Sequence, residues 1–488
     1  MASVTQNTLQ SLLLMTENLT EQYKDYAVYL PSLQQQYANY ATKTNSETNR
    51  PSQRIPKNFD TQMLNFLDKE SKLWHCGYTL YSCGQFDKKQ IRNRDIVAER
   101  NVSDCVVIGD SGGFQLGTGS ITSKAELKHL EHFKNDAVAQ YNNWQQCDFR
   151  ERTLRWLDRY TDYAMTLDMV LWAAEEYEQP NAKKSQLRKL SVQQLIDLSV
   201  DNLRFFADNR GRGGRGTKFL SVLQDIGNGT GEAWYQAVKD FEFEGFALGS
   251  ETGGMLNSLQ WLRRLLNDYK LDKSEWIHTL GKSPPINSVV YTAAQRALRK
   301  ALDRDDFTIS LDSSSPHQLA GKQKKLVVPP NFTNNRKTWK ISAWQLPQDI
   351  RIARNEKQLD FPFASPLSKY LRVNDLMAHD IDDSDYFTDT WSEQMLVNHN
   401  IYTYHRYSID ACDLVFSETK KNHALVPTEI LEMAELIERY FVAENAGEIE
   451  DKLAVLMEPF MRKGKDKSHT DANEDRDDSD EVEDFVLS

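Results

Sequence analysis

Between residues 104 and 312 one pattern recurs six times: a short apolar run, ended by a carboxylate, an amide or a glycine, then a longer amphipathic stretch. The runs are DCVVIGD (104–110), YAMTLD (163–168), KFLSVLQ (218–224), GFALGS (245–250), WIHTLG (276–281) and FTISLD (307–312). Such short apolar runs read as strands covered on both faces, and segments such as 191–208 and 255–269 between them read as helices. Strand and helix in alternation predict a parallel sheet of βαβ units. Six units over about 210 residues fit an α/β fold, a (β/α)8 TIM-type barrel with helical additions at both ends. A doubly wound open sheet is the alternative.

The flanks differ from this centre. Residues 1–60 are rich in Gln, Asn, Ser and Thr; the reading is a peripheral extension, helical over 8–40 and flexible over 41–58. The barrel is placed at 61–415, with amphipathic C-terminal helices over 416–462 and a disordered tail over 463–488. Nine acids and one arginine in residues 471–488 put −8 of the net −12 in that tail, and the preceding 470 residues carry only −4. The acidic total therefore leaves a nucleic-acid partner open for the folded part. Segment 321–357 has nine Lys or Arg against two acids, with Phe332, Trp339 and Trp344 between them. A composition of 40% hydrophobic and 27% charged residues excludes a collagen or a wholly disordered chain. No apolar run approaches the ~18 residues of a membrane span, and no basic segment precedes Leu12-Leu13-Leu14 as in a secretory signal. The five scattered cysteines (Cys76, Cys83, Cys105, Cys147, Cys412) point to reduced thiols and a cytoplasmic location.

In parallel barrels, function gathers where strands end. Here the ends carry Asp110, Asp168, Gln224, Gly249, Gly281 and Asp312. One acid after a strand is ordinarily a turn or cap residue. Three acids and an amide together form a pocket that suits a flat polar ligand and holds a candidate nucleophile. The first end continues as Asp110-Ser111-Gly112-Gly113-Phe114-Gln115. The glycines allow close approach of backbone to ligand, and Phe114 offers a face to a planar ring. A glycine turn with a core phenylalanine is the plain structural alternative.

DSGGFQ closely resembles the signature of the tRNA-guanine transglycosylase family, and other matches follow in that family's order across residues 75–415. Asp168 matches its second base-binding aspartate. Gln224 matches the glutamine of its VQGG segment, with Asp225 in place of the first glycine. Gly249, followed by Ser250, matches the segment that meets the base carbonyl. Leu280, followed by Gly281, matches the apolar cover of the base, and Asp312 matches the nucleophile. The resemblance implies base exchange through a covalent glycosyl–aspartate, with Asp110 assisting proton transfer, no cofactor, and a free 7-deazaguanine base such as 7-cyano-7-deazaguanine as co-substrate.

The departures point to one branch. The family binds zinc through a C-x-C-x-x-C cluster and a later histidine; His399 stands at the histidine's place, but residues 321–398 contain no cysteine. No metal site is therefore expected. With the basic segment in the same region, the chain looks like the DNA-acting branch found in phages and bacterial DNA-modification clusters. That implies DNA as the partner, the host cytoplasm as the location if phage-encoded, pathway proteins as further partners, and a monomer. A divergent tRNA enzyme and a non-catalytic nucleic-acid-binding paralogue are the alternatives. Candidates for the backbone grip are Arg210, Arg212 and Arg215 of RGRGGRG, and Lys322, Lys324, Lys325, Arg336, Lys337 and Lys340, with the neighbouring aromatics as stacking platforms. The bland readings are a solvated loop for the first group and core tryptophans for the second.

Overall fold

A computed structural model of the chain describes residues 17–85, 94–119, 144, 148–177, 185, 187–250, 254–377, 388–418, 420–461 and 483–484. Eight parallel strands close into a barrel. They are β1 (Val28–Leu33), β2 (Tyr78–Ser82), β3 (Val106–Asp110), β4 (Tyr163–Met165), β5 (Lys218–Asp225), β6 (Gly245–Ser250), β7 (Trp276–Thr279) and β8 (Thr308–Ser313). Each pairs with its sequence neighbours, and β8 closes the ring on β1 through Ser310↔Val28 to Ser313↔Pro31. The fold is the (β/α)8 barrel expected from the alternation, and the open sheet is excluded.

The helices form for legible reasons. In α1 (Gln35–Tyr40) and α2 (Gly113–Thr118) the chain turns directly off β1 and β3. The helix α3 (Phe149–Tyr160) precedes β4, and α4 (Val192–Asn209) precedes β5. In α4, Ser191 and Gln194 form a capping box, and Leu195, Leu198, Asn202 and Phe206 bury one face at helical spacing. Each fully buried leucine there contributes about 1.5–3 kcal/mol. Outer cover comes also from α5 (Thr230–Val238), α6 (Gly254–Asn267), α7 (Ile286–Leu302) and the short α8 (Ser315–Gly321) after β8. The longest helix, α9 (Thr390–Phe416), is buried along most of its length, and α10 (Thr428–Tyr440) and α11 (Gly447–Met457) complete the expected C-terminal helices.

The N-terminal boundary is corrected: residues 28–33 are not a peripheral extension but the first barrel strand. VYLPSL is broken by Pro31, which has no amide to donate. The strand tolerates it because β1 pairs with β8 over Val28–Pro31 and with β2 over Ser32–Leu33, so Pro31 stands at the changeover. Residues 41–58 are also tied down. The buried Arg50 guanidinium bonds Asp389 at 3.3 Å, Ser392 at 3.0 Å and the Asp375 carbonyl, and lies 4.1 Å over the Trp391 ring.

The basic segment folds as two antiparallel strands, β9 (Lys325–Val327) and β10 (Ser342–Gln345), laid on α9. Its aromatics are core rather than platforms: Phe332 packs 4.5 Å from Trp339 and 5.7 Å from Tyr407, and Trp344 is buried. Glu483–Asp484 pairs with Ser342–Ala343; the rest of the predicted disordered tail lies outside the described residues. Among the described residues no helix is long and apolar enough to cross a membrane. Cys76, Cys83, Cys105 and Cys412 are buried free thiols, and Cys147 lies outside the described residues.

Candidate active site at the carboxyl end of the barrel

Asp110 and Asp312 sit at the last turns of β3 and β8, and Asp168 follows β4, so all three carboxylates lie on the rim where strands finish. Each is shaped differently. Asp110 accepts the Gly112 amide at 3.0 Å and a bond from Ser82 at the end of β2. Burial raises its pKa above the usual carboxylate range; the negative charge of Asp312 adds to this, and Ser82 and Gly112 oppose it. Asp168, 9% exposed, is pushed up to about 7, mainly by burial and then by the Asp110 charge. Asp312, 8% exposed, accepts the Gly281 amide at 2.8 Å on Oδ1. The rim thus holds a carboxylate fixed through one oxygen beside two that retain protons more readily than usual.

The glycines of DSGGFQ are both required. Gly112 has φ +87°, and a Cβ there would stand 2.8 Å from Gly84 Cα. A Cβ on Gly113 would strike Asp168. This close passage starts α2 and leaves Phe114 44% exposed at the mouth, its ring 5.7 Å from the buried Trp172. The plain alternative of a core phenylalanine is not what forms. Leu280 follows β7 half-buried, next to Gly249 of β6.

Other expected base contacts are engaged within the protein. Gln224 donates its amide to the Asp168 carboxylate and to the Met169 carbonyl (3.1 Å), and accepts the Leu171 amide at 2.9 Å. Both amide protons are committed, so Gln224 orients Asp168 and the chain beyond it. Ser111 donates to the Thr166 carbonyl at 3.1 Å and ties β3 to β4. The Gly281 amide serves Asp312. Gln115 is half-buried against Gly84, and Ser250 ends β6 opposite Asp225. Asp225, the departure from the glycine of the motif, accepts the Gly227 amide at 3.0 Å and closes the turn into α5.

The two basic groups divide. RGRGGRG lies between α4 and β5, at the amino end of the strands, opposite the carboxylate rim. It wraps the buried Asp158, which accepts the Gly211 amide at 2.9 Å, and Arg210 pairs with Glu244 at 2.8 Å. Arg212 is exposed and Arg215 half-buried at that same end. Lys322, Lys324 and Lys325 follow α8 on the rim side, where Lys324 pairs with Glu393 at 3.3 Å. Arg336 and Lys337 are exposed and Lys340 half-buried on the β9–β10 loop, beside the Phe332–Trp339 pair that packs on Tyr407. Tyr407 lies about two turns along α9 from Asn400, which binds β9.

His399 is buried with both ring nitrogens used: Nε2 donates to the Val327 carbonyl at 2.8 Å and Nδ1 lies 2.8 Å from Ser365 Oγ. Burial lowers its pKa to about 4. Among the described residues no group of three or more His, Cys, Asp and Glu side chains is placed to hold a metal ion. Sequence reasoning missed Ser82, because β2 (YTLYS) is not an aliphatic run, and His278, which period-2 alternation places on the face of Trp276 and Leu280. No protein-family model matches the chain, and no curated protein matches it.

Proposed function

We propose that the chain is a transglycosylase that exchanges guanine in DNA for a 7-deazaguanine base. The observation that carries this reading is the meeting of Asp110, Asp168 and Asp312 on one rim beside an exposed Phe114, with Asp312 held through a single oxygen. This is an arrangement of nucleophile, proton carrier, edge reader and stacking face. Asp312 attacks C1′ of a guanosine nucleotide and the C1′–N9 bond breaks. Asp110 delivers a proton to the leaving base and recovers one from the incoming base. Two displacements retain the anomeric configuration, as in retaining glycosidases. Ionised Asp168 accepts from the N1 and 2-amino edge, and Gln224 keeps it aimed. Phe114 and Leu280 cover the ring faces. A base inside a duplex cannot reach this rim, so the nucleotide is flipped out at a cost of a few kcal/mol.

DNA is favoured over tRNA because the region that carries zinc in the resembling family is here the β9–β10 sheet, with His399 spent on internal hydrogen bonds. The test is base exchange with labelled guanine or 7-cyano-7-deazaguanine, duplex DNA or unmodified tRNA, and Asp312→Ala as control. Label entering DNA only, and lost in the variant, supports the reading. Label entering tRNA transfers the activity to RNA. Label in neither leaves the non-catalytic paralogue.

A further inference from the structure

Four interior side chains form a line beneath the rim. Trp276 Nε1 donates to Ser310 Oγ at 2.7 Å, Ser310 Oγ lies 2.9 Å from His278 Nδ1, and His278 Nε2 lies 3.3 Å from Asp312 Oδ1. Ser310 and His278 are wholly buried. The Nε2 atom has no hydrogen-bond partner of good geometry, and Asp312 is the acid it faces. Ser310 accepts from Trp276, so its own proton has two destinations, the Ile277 carbonyl at 3.4 Å or His278 Nδ1 at 2.9 Å. The shorter contact leaves Nδ1 as acceptor and puts the ring proton on Nε2, toward Asp312.

We propose that His278 is a positioning residue: together with the Gly281 amide it holds Oδ1 of Asp312, making Oδ2 the attacking atom and easing departure of the aspartate in the second displacement. This rests on the transglycosylase reading above. In the first displacement the Oδ2–C1′ bond forms, the C1′–N9 bond breaks with its electron pair going to guanine, and Oδ1 becomes the ester carbonyl. In the second, N9 of the incoming base bonds to C1′, its proton passes to Asp110, and the C1′–Oδ2 electron pair returns to the carboxylate. Negative charge then reappears across both oxygens, where two N–H donors already wait on Oδ1. Losing one donor slows release from the ester more than its formation, because an unheld carboxylate is no poorer a nucleophile.

The test uses the whole chain, guanosine-containing DNA and excess labelled guanine, and follows exchange together with the denaturation-resistant protein–DNA adduct. His278→Leu is expected to slow exchange about 10–100-fold while the adduct accumulates several-fold over wild type. His278→Gln, whose terminal amide can reach the Nε2 position, is expected to recover exchange to within about fivefold. Parallel loss of adduct and exchange without rescue by Gln, or no change in either, overturns the proposal. Nitrogen-15 histidine spectra give a readout apart from activity. The His278 Nε2–H signal is expected to move in Asp312→Asn, and the tautomer to change in Ser310→Ala; a signal indifferent to both overturns the hydrogen bond. If wild type forms no adduct and exchanges no base, the transglycosylase reading and the leaving-group role fall together, while a responsive signal still supports the grip on Oδ1.

Discussion

A Cβ added to Gly113 would stand 2.6 Å from Asp168 Oδ1 and 3.1 Å from the Asp168 carbonyl oxygen. The carboxylate expected to read the base therefore rests directly on the backbone of the motif that supplies the stacking ring. Gly113 lies in α2 without a positive φ, so alanine fits the backbone there and only the contact is altered. Gly113→Ala gains about 1 kcal/mol of helix propensity and loses about 1–3 kcal/mol to the clash. Global stability should change by less than about 2 kcal/mol, while guanine affinity falls about 10–100-fold as Asp168 is displaced. Thermal melts and calorimetric guanine titration separate the two; unaltered affinity would show that Asp168 does not read the base.

Asp168 makes stability depend on pH in a definite direction. Its carboxyl titrates near 7 in the folded chain, raised first by burial, against the ordinary 3.8. Between about pH 4 and 7 the folded chain keeps a proton that the unfolded chain releases, so this group's contribution to stability falls as pH rises through that window and is flat above it. Asp168→Asn still accepts the Gln224 amide but cannot ionise. It should match wild type near pH 4 and be about 1–3 kcal/mol more stable at pH 8. In wild type, kcat/KM for base exchange should rise through about pH 7, because only the ionised group accepts two N–H bonds. Denaturant melts across the pH range check the first, and a pH–rate profile the second.

Six strands and all three acids were legible because a buried strand in a parallel barrel must be apolar while its end is free to carry chemistry. VYLPSL and YTLYS were not, since Pro31 interrupts one and tyrosine, threonine and serine fill the other; both are strands by virtue of what packs on them. Within the site, residue type revealed Asp110, Asp168 and Asp312, but not what holds them. That Gln224 spends its amide on Asp168, or that His278 faces Asp312, depends on side-chain direction between strands, which no local pattern encodes. The arginine loop misled for a related reason: its charges are plain in the sequence, but its end of the barrel follows from preceding β5 rather than following it.

That placement predicts a contrast in nucleic-acid binding. Arg212→Ala combined with Arg215→Ala should leave DNA affinity and its salt dependence unchanged, because the loop lies at the amino end of the strands. Lys322→Ala combined with Lys325→Ala, on the rim side beyond the nucleophile strand, should weaken binding and reduce the salt slope by about 2, roughly 0.9 per phosphate contact. Titrations at several salt concentrations decide it. The reverse pattern would put the nucleic acid at the amino end of the barrel and detach it from the carboxylates.

Removing residues 1–60 should abolish the fold rather than trim it. The truncated chain loses β1, leaving β8 and β2 as open edges of a seven-stranded sheet. It also loses Tyr29 and Tyr37, both wholly buried, and the Tyr37 hydroxyl that receives a bond from Asn398 on α9. Asp389 and Trp391 lose the Arg50 guanidinium that lies between them. Arg50→Met is a milder form of the same test. It keeps the stem's packing but strips Asp389 of its cation, at about 2–4 kcal/mol, less than a fully buried pair because Asp389 is partly exposed. Circular dichroism and limited proteolysis of the truncated chain, beside denaturant melts of Arg50→Met, read both. A truncated chain that melts cooperatively would mean that the barrel closes without Val28–Leu33, and that the hydrogen bonds between Ser310–Ser313 and β1 are dispensable for holding the strand that carries Asp312.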